Sequence, residues 1–165
     1  VHGANVQLTK GITLHTGESV IRIGYLLEGL PLDHSFHFAP ELNFAGLPAD
    51  ADDRFFYGED GERLGHLGMQ FDLHELQQFG LVDQWLGIDV QIQTDRPTSV
   101  WTYPIETVSQ SESGFELVHQ SVVVQPHWWV RPDHEGKWSV MLNLQIDTSA
   151  AREQVPHEHE LATAE

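Results

Sequence analysis

Apolar and polar residues alternate along most of this chain with a period of two. Successive side chains of a β-strand point to opposite faces, so this period predicts strands with one face in a core and the other facing solvent or a ligand. No long segment has the 3.6-residue period of a helix, and only residues 74–79 suggest one helical turn. The alternation occurs in the segments 6–14, 21–27, 36–44, 88–92 and 138–146.

Turn-forming residues separate these segments. Many short strands joined by such turns predict an all-β fold, a large antiparallel β-sandwich. Residues 48–66, rich in acids and glycine, are interpreted as a long irregular insertion. The alternation stops near Thr148, so we expect one domain over residues 1–147 and a disordered tail over 148–165. Glycine, proline and aspartate cluster at residues 29–31, 58–61, 95–97 and 133–136.

The chain is strongly acidic, with 25 acidic against 8 basic residues and a formal net charge of -17. That charge repels nucleic acid and anionic membranes, whereas a neutral ligand such as a sugar is not repelled. No apolar run reaches the ~18 residues of a membrane span. The sequence has no cysteine, which excludes disulfides and thiolate sites and favours a cytoplasmic location. The chain starts at Val1 rather than Met, and we interpret it as a piece of a longer protein.

Eleven histidines raise the question of a metal site. His34 and His37 lie at a strand entrance, where residues three apart point to opposite faces. His157 and His159 fall in the predicted tail. Further ligands at a suggestive spacing are missing, so we interpret the histidines as surface residues and predict neither a metal nor a cofactor.

Five tryptophans are many for a chain of this length. Trp138 continues an apolar row and is assigned to the core. Strand alternation places Trp128 and Trp129 on opposite faces, so one of the two rings is a candidate for exposure or for a contact between domains. Trp101 and Tyr103 share a face directly before a polar segment and are the best candidates for an aromatic surface on the ligand side.

The polar segment, residues 104–120, combines carboxylates and hydroxyls between two strand-like runs. It either forms an internal hydrogen-bond network, which we favour slightly, or binds sugar hydroxyls. Glu106 and Glu112 are six residues apart, but most such acid pairs are structural, so we do not assign them catalysis. A Gly-x-Ser-x-Gly elbow around Ser109 and a phosphate-binding glycine loop are both missing. We therefore predict no catalytic residue.

The same region carries a family resemblance. Residues 101–112, Gly114-Phe115-Glu116 and Gln120, supported by residues 40–44 and 82–88, resemble the C-terminal domain of 4-α-glucanotransferases and α-amylase-type enzymes of glycoside hydrolase family 57. The resemblance covers residues 11–146 and implies a β-sandwich of the galactose-mutarotase-like type, or supersandwich. It also implies a preceding (β/α) barrel of the same polypeptide that holds the catalytic carboxylates, and none of these can be carried over to this chain.

The leading hypothesis is a non-catalytic accessory domain of an α-glucan-active glycosidase or glucanotransferase, which packs on its catalytic barrel and contacts glucan. One alternative is a stand-alone carbohydrate-binding module. The other is an aldose-epimerase-like enzyme, in which His119 or His127 works with Glu106. The candidate substrate-binding residues are Glu41, Asn43, Trp101, Tyr103, Glu106, Ser109, Gln110, Glu112 and Gln120.

Overall fold

The computed structural model describes residues 5–111 and 114–153. The regular secondary structure in this part of the chain is almost all strand and ends in one short helix. The elements are β1 (Gln7–Leu14), β2 (Val20–Glu28), β3 (Phe36–Phe38), β4 (Leu42–Ala45), β5 (Arg54–Tyr57), β6 (Arg63–His66), β7 (Phe71–Asp83), β8 (Ile88–Ser111), β9 (Gly114–Val130), β10 (Trp138–Asp147) and α1 (Ser149–Glu153).

The strands pair in an antiparallel manner in the order β1-β2-β10-β8-β7-β5-β6. Strand β9 pairs with β8, and both β3 and β4 pair with β9. The long strand β8 belongs to two parts of the sheet. Near its start Ile92 is opposite Leu144 of β10, and further along Ser99 is opposite His127 of β9. Two register shifts in its partner β7 accompany this change, as expected of bulges that bend a sheet.

The core lies between these two parts of the sheet. Tyr25 of β2 packs on Phe38 of β3 at a ring distance of 5.2 Å, and Trp138 of β10 packs on Trp128 of β9 at 5.6 Å. Burying a large apolar side chain stabilises a fold by roughly 1.5–3 kcal/mol, so these aromatic contacts hold the two layers together. The all-β antiparallel sandwich is confirmed, and so is the place of Trp138 in the core.

Two predictions of local structure are wrong. Residues 74–79 form no helical turn but lie within β7, where Glu75 has φ 58° and the register shifts on both sides of Leu76. A bulge interrupts the period of two, and the interruption imitated a helix. Residues 48–66 contain β5 and β6, which the many acids and glycines concealed.

Strand β1 also departs from the prediction, because all of its residues are exposed. Leu8 and Ile12 are paired with Leu27 and Ile23 of β2, which are buried. The core face of the sheet therefore continues onto β1, but the described residues do not cover it there.

Helix α1 occupies the beginning of the segment that was predicted to be a tail, and residues 154–165 of that tail lie outside the described residues. The extent of the domain over residues 1–147 stays a prediction. In the described part of the chain, no helix is long and apolar enough to cross a membrane.

Candidate functional site: the outer face of β3, β8 and β9

Strands β3, β8 and β9 share a surface that points away from the core. In β9 the residues Val124 and Trp128 are buried in the core, so strand alternation turns His127 and Trp129 to the opposite face of the sheet. On that face His127 is covered by neighbouring rings. Trp129, by contrast, is 71% exposed although Trp128 is 6% exposed, which confirms that the two rings lie on opposite faces. We call this surface the outer face, and it is formed by His37, Trp101, Tyr103, His127 and Trp129.

An indole and an imidazole stack at its centre. The ring centroids of Trp101 and His127 are 3.9 Å apart and their planes are inclined by 32°. The indole nitrogen of Trp101 donates a hydrogen bond of 2.9 Å to Oδ1 of Asp72 in β7. Trp101 is therefore held from one side by a ring and at its edge by a carboxylate.

Two imidazoles continue this cluster toward Trp129. Nε2 of His37 and Nδ1 of His127 are 3.0 Å apart, so one nitrogen donates a hydrogen bond and the other accepts it. The ring of His37 lies 5.0 Å from that of Trp129. Burial lowers the pKa of His127, and the nearby charge of His37 lowers it further.

A polar network borders the outer face at β4. The hydroxyl of Tyr103 donates to Oε2 of Glu41 at 3.3 Å, and the amide of Asn43 donates to Oε1 of the same carboxylate at 2.6 Å. The hydroxyl of Ser121 donates to Oδ1 of Asn43 at 3.3 Å. Burial raises the pKa of Tyr103, and the charge of Glu41 raises it further. Three of the predicted residues thus belong to one hydrogen-bond network at the surface.

A shallow open groove of about 500 Å³ runs beside Trp101 and Tyr103. Asp72 lines it together with these two rings, so aromatic surface and a carboxylate face the same space. Such a combination suits a neutral polyol, because an apolar sugar face packs on a ring while hydroxyls donate to carboxylate oxygens. The complete lining is Gln70, Phe71, Asp72, Trp101, Thr102, Tyr103 and Pro104.

The remaining candidates lie away from this groove, on the two-stranded ribbon that β8 and β9 form beyond a register shift between Ile105 and Glu106. Gln120 lies at this shift, where its amide donates to Oγ1 of Thr107 at 3.1 Å. Glu106 is exposed and opposite His119, and Ser109 and Gln110 are opposite Glu116 and Phe115. Glu112 lies outside the described residues. The predicted set is therefore divided between the outer face and the ribbon, and its role in substrate binding stays a prediction.

The epimerase hypothesis pairs Glu106 with either His119 or His127, and the structure places the two histidines differently. Glu106 and His119 are direct cross-strand neighbours, and Nε2 of His119 is 2.8 Å from the carbonyl oxygen of Leu47. His127, by contrast, is engaged with His37 and Trp101. Among the described residues, no group of three histidine, aspartate or glutamate side chains could hold a metal ion.

Sequence reasoning missed three members of this site. His37 had been interpreted as a surface histidine. Asp72 belongs to no motif in the sequence, so nothing indicated a role for it. His37 and His127 are 90 residues apart in the chain, so only the pairing of β3 with β9 brings them together. For Trp129 a signal existed, since alternation already placed one of the two adjacent rings on the outer side.

Comparison with known proteins identifies the family. A family model described as "Alpha-amylase/4-alpha-glucanotransferase, C-terminal" matches residues 1–142. This chain belongs to that family. The resemblance read from the sequence is therefore confirmed, and the family places the chain among the C-terminal domains of α-glucan enzymes.

Individual relatives agree with this assignment. Alpha-amylase 1 of Dictyoglomus thermophilum is 30% identical over 122 residues, which are 69% of this chain and 16% of the relative. A 4-alpha-glucanotransferase of Thermococcus kodakarensis is 44% identical over 48 residues, 29% of this chain and 7% of the relative. The chain thus spans less than a fifth of the length of either relative.

One solved structure supports the fold. The crystal structure of a 4-alpha-glucanotransferase from Thermococcus litoralis superimposes with a TM-score of 0.58 at 21% identity, covering 85% of this chain and 18% of that one. At this sequence identity, the structural similarity is evidence for the fold alone.

Proposed function

We propose that this family member is an accessory domain, without catalytic residues of its own, of an α-amylase or 4-α-glucanotransferase, and that it packs against the catalytic barrel of the same polypeptide. The proposal rests on the exposed apolar side chains of β1, which are Leu8, Ile12 and Leu14. Ile12 is 57% exposed, whereas its direct cross-strand neighbour Ile23 is 5% exposed. Leu8 at 54% and Leu27 at 7% show the same contrast. Leu14, at 68%, extends this row, and several exposed apolar side chains on one strand face are typical of an interaction site.

Hydrogen exchange tests the packing. The β1 amides should exchange more slowly in a polypeptide in which the chain follows its barrel than in the isolated chain. Replacing Leu8, Ile12 and Leu14 with threonine should remove that difference, and replacing Thr9 and Thr13 with serine on the opposite face should leave it intact. Equal exchange in both forms would contradict the proposal.

We further propose that the outer face contacts α-glucan. The groove beside Trp101 and Tyr103 supports this, as does a net charge of -17 that a neutral saccharide tolerates. The test is a titration of the isolated chain with maltoheptaose, followed by tryptophan fluorescence and calorimetric heat. Saturable binding at about millimolar affinity or better is expected, and cellohexaose, which is β-linked, should not bind. An absence of binding would reduce the role of the domain to packing.

The exposed ring of Trp129 favours one second candidate, a carbohydrate-binding module that works without the barrel. In that case the isolated chain and the complete polypeptide should have the same affinity for glucan outside the active site. The epimerase hypothesis is tested by a coupled mutarotation assay, in which we expect no activity. A cytoplasmic location is also proposed, supported by the absence of cysteine in the sequence.

A further inference from the structure

We propose that Trp129 is the ring on which a glucose unit of the α-glucan stacks, and that His37 beside it forms the hydrogen bond that orients the sugar. The inference deepens the glucan contact proposed above and rests on it. It assigns the stacking position to a residue that the polar sequence motif does not contain.

The first argument is the open ring face of Trp129. A pyranose stacks only on an indole face that is free of other contacts. One face of Trp101 is occupied by His127 at 3.9 Å, and its edge is held by Asp72. Trp129 is 71% exposed, and its ring neighbour His37 is 5.0 Å away and tilted by 43°. Trp129 therefore offers the larger free aromatic surface on the outer face.

The second argument is the fixed orientation of His37. Its Nε2 is hydrogen-bonded to Nδ1 of His127, which is 6% exposed and packed on Trp101. This bond leaves Nδ1 of His37 as the ring nitrogen that can meet a ligand. A neutral imidazole presents either a donor or an acceptor there, and a sugar hydroxyl can match both. A buried partner that holds the contacting side chain is the arrangement expected of a pre-organised site.

The third argument concerns the class of ligand. Asp72 has a side chain that is 61% exposed, and it lies at the other end of the same cluster, where it can accept hydrogen bonds from hydroxyls. A carboxylate there, in a chain of net charge -17, disfavours sulfated or uronic polysaccharides. The cluster thus suits a neutral chain of glucose units.

Labelling with 5-fluorotryptophan tests the assignment directly. The five fluorine signals are assigned with single Trp→Phe variants, and the labelled chain is titrated with maltoheptaose. The Trp129 signal should shift and saturate, whereas the signals of buried Trp138 and of Trp85 should stay in place. Trp85 is the matched reference because it is also 71% exposed but lies on the turn between β7 and β8.

Affinity measurements on variants complete the test. Trp129→Ala should weaken maltoheptaose binding by about tenfold, Trp129→Phe should retain part of it, and Trp85→Ala should bind like the wild type. His37→Ala should also weaken binding. Circular dichroism checks that each variant is folded, and if Trp129→Ala is not, Trp129→Phe and the fluorine titration decide.

The outcomes separate this inference from the function on which it rests. Binding that leaves the Trp129 signal unmoved, or that survives Trp129→Ala, overturns the assignment while the glucan contact stands. An equal loss in Trp85→Ala overturns it as well. If no tryptophan signal moves and no heat is detected, both proposals fail.

Discussion

Trp101 stacks on the imidazole of His127 with a centroid distance of 3.9 Å, and its indole nitrogen is bonded to Asp72. An indole held in this way stabilises the sheet, in addition to any contact that it makes with a ligand. The sequence motif of residues 101–112 was considered for ligand binding, but its first residue, Trp101, also has a structural role.

Replacing Trp101 with alanine should therefore lower the free energy of unfolding by about 2 kcal/mol, less than the 3–5 kcal/mol typical of a fully buried tryptophan. Urea denaturation measures the change. A loss below about 0.5 kcal/mol would mean that the stack contributes nothing, as at an ordinary surface position. In the folded variant, glucan affinity should fall because Asp72 and His127 lose their support. Unchanged affinity would limit Trp101 to its structural role.

Replacing Glu41 with glutamine should lower the pKa of Tyr103, since the negative charge of Glu41 is one cause of its upward shift. The pKa should remain above the ordinary tyrosine value, because burial is the larger cause. Carbon-13 NMR of the tyrosine ring across alkaline pH measures the effect. Glu106→Gln is the control, because Glu106 is exposed. This substitution should leave the Tyr103 pKa unchanged and should change the free energy of unfolding by less than about 0.5 kcal/mol.

Replacing Asp83 with alanine should cost about 3–5 kcal/mol, because it leaves a largely buried guanidinium without its one fully buried carboxylate partner. Asp83 is fully buried, accepts a 2.9 Å hydrogen bond from Arg54 Nε and a 2.8 Å bond from the backbone N–H of Leu86. Denaturation curves measure the loss. Asp53→Ala removes the other, more exposed carboxylate of Arg54 and should cost less than about 1 kcal/mol. Similar losses in both variants would contradict the burial argument.

Acidification should destabilise the protein through His127. Its pKa in the folded chain is lowered, by burial first and by His37 second, while Asp72 opposes and His74 assists the shift. The unfolded chain therefore takes up the proton first, so the stability from this group is complete above pH ~6.5 and is lost as the pH falls from there through the lowered pKa. Thermal melts at pH 8 and pH 5 should show a smaller difference for His127→Gln than for the wild type. His134→Gln, at a well-exposed position, should behave like the wild type.

Local alternation was sufficient to predict much of the fold. The rows around Ile23, Val90 and Leu142 predicted strands correctly, and the adjacent pair Trp128-Trp129 predicted one buried and one exposed ring. Where a bulge broke the period at Glu75, or acids and glycines masked short strands as in β5, the prediction failed. A period of two describes a regular pleat, and it carries no information where the pleat is interrupted.

The site was predictable only in part. Tyr103, Asn43 and Glu41 were predicted as candidate substrate-binding residues, and the structure joins them by hydrogen bonds. The contact of His37 with His127 was beyond sequence reasoning, because it depends on the register between β3 and β9.

The sequence by itself determined the all-β class, the family and the acidic character, since each follows from local patterns or from a contiguous motif. The tertiary structure alone decided which apolar rows are covered. Leu8 and Leu27 have the same chemistry and lie side by side, yet within residues 5–111 and 114–153 only Leu27 has a second layer above it. It also decided that Trp101 is stacked and Trp129 is open, because the coverage of a ring depends on residues distant in the chain.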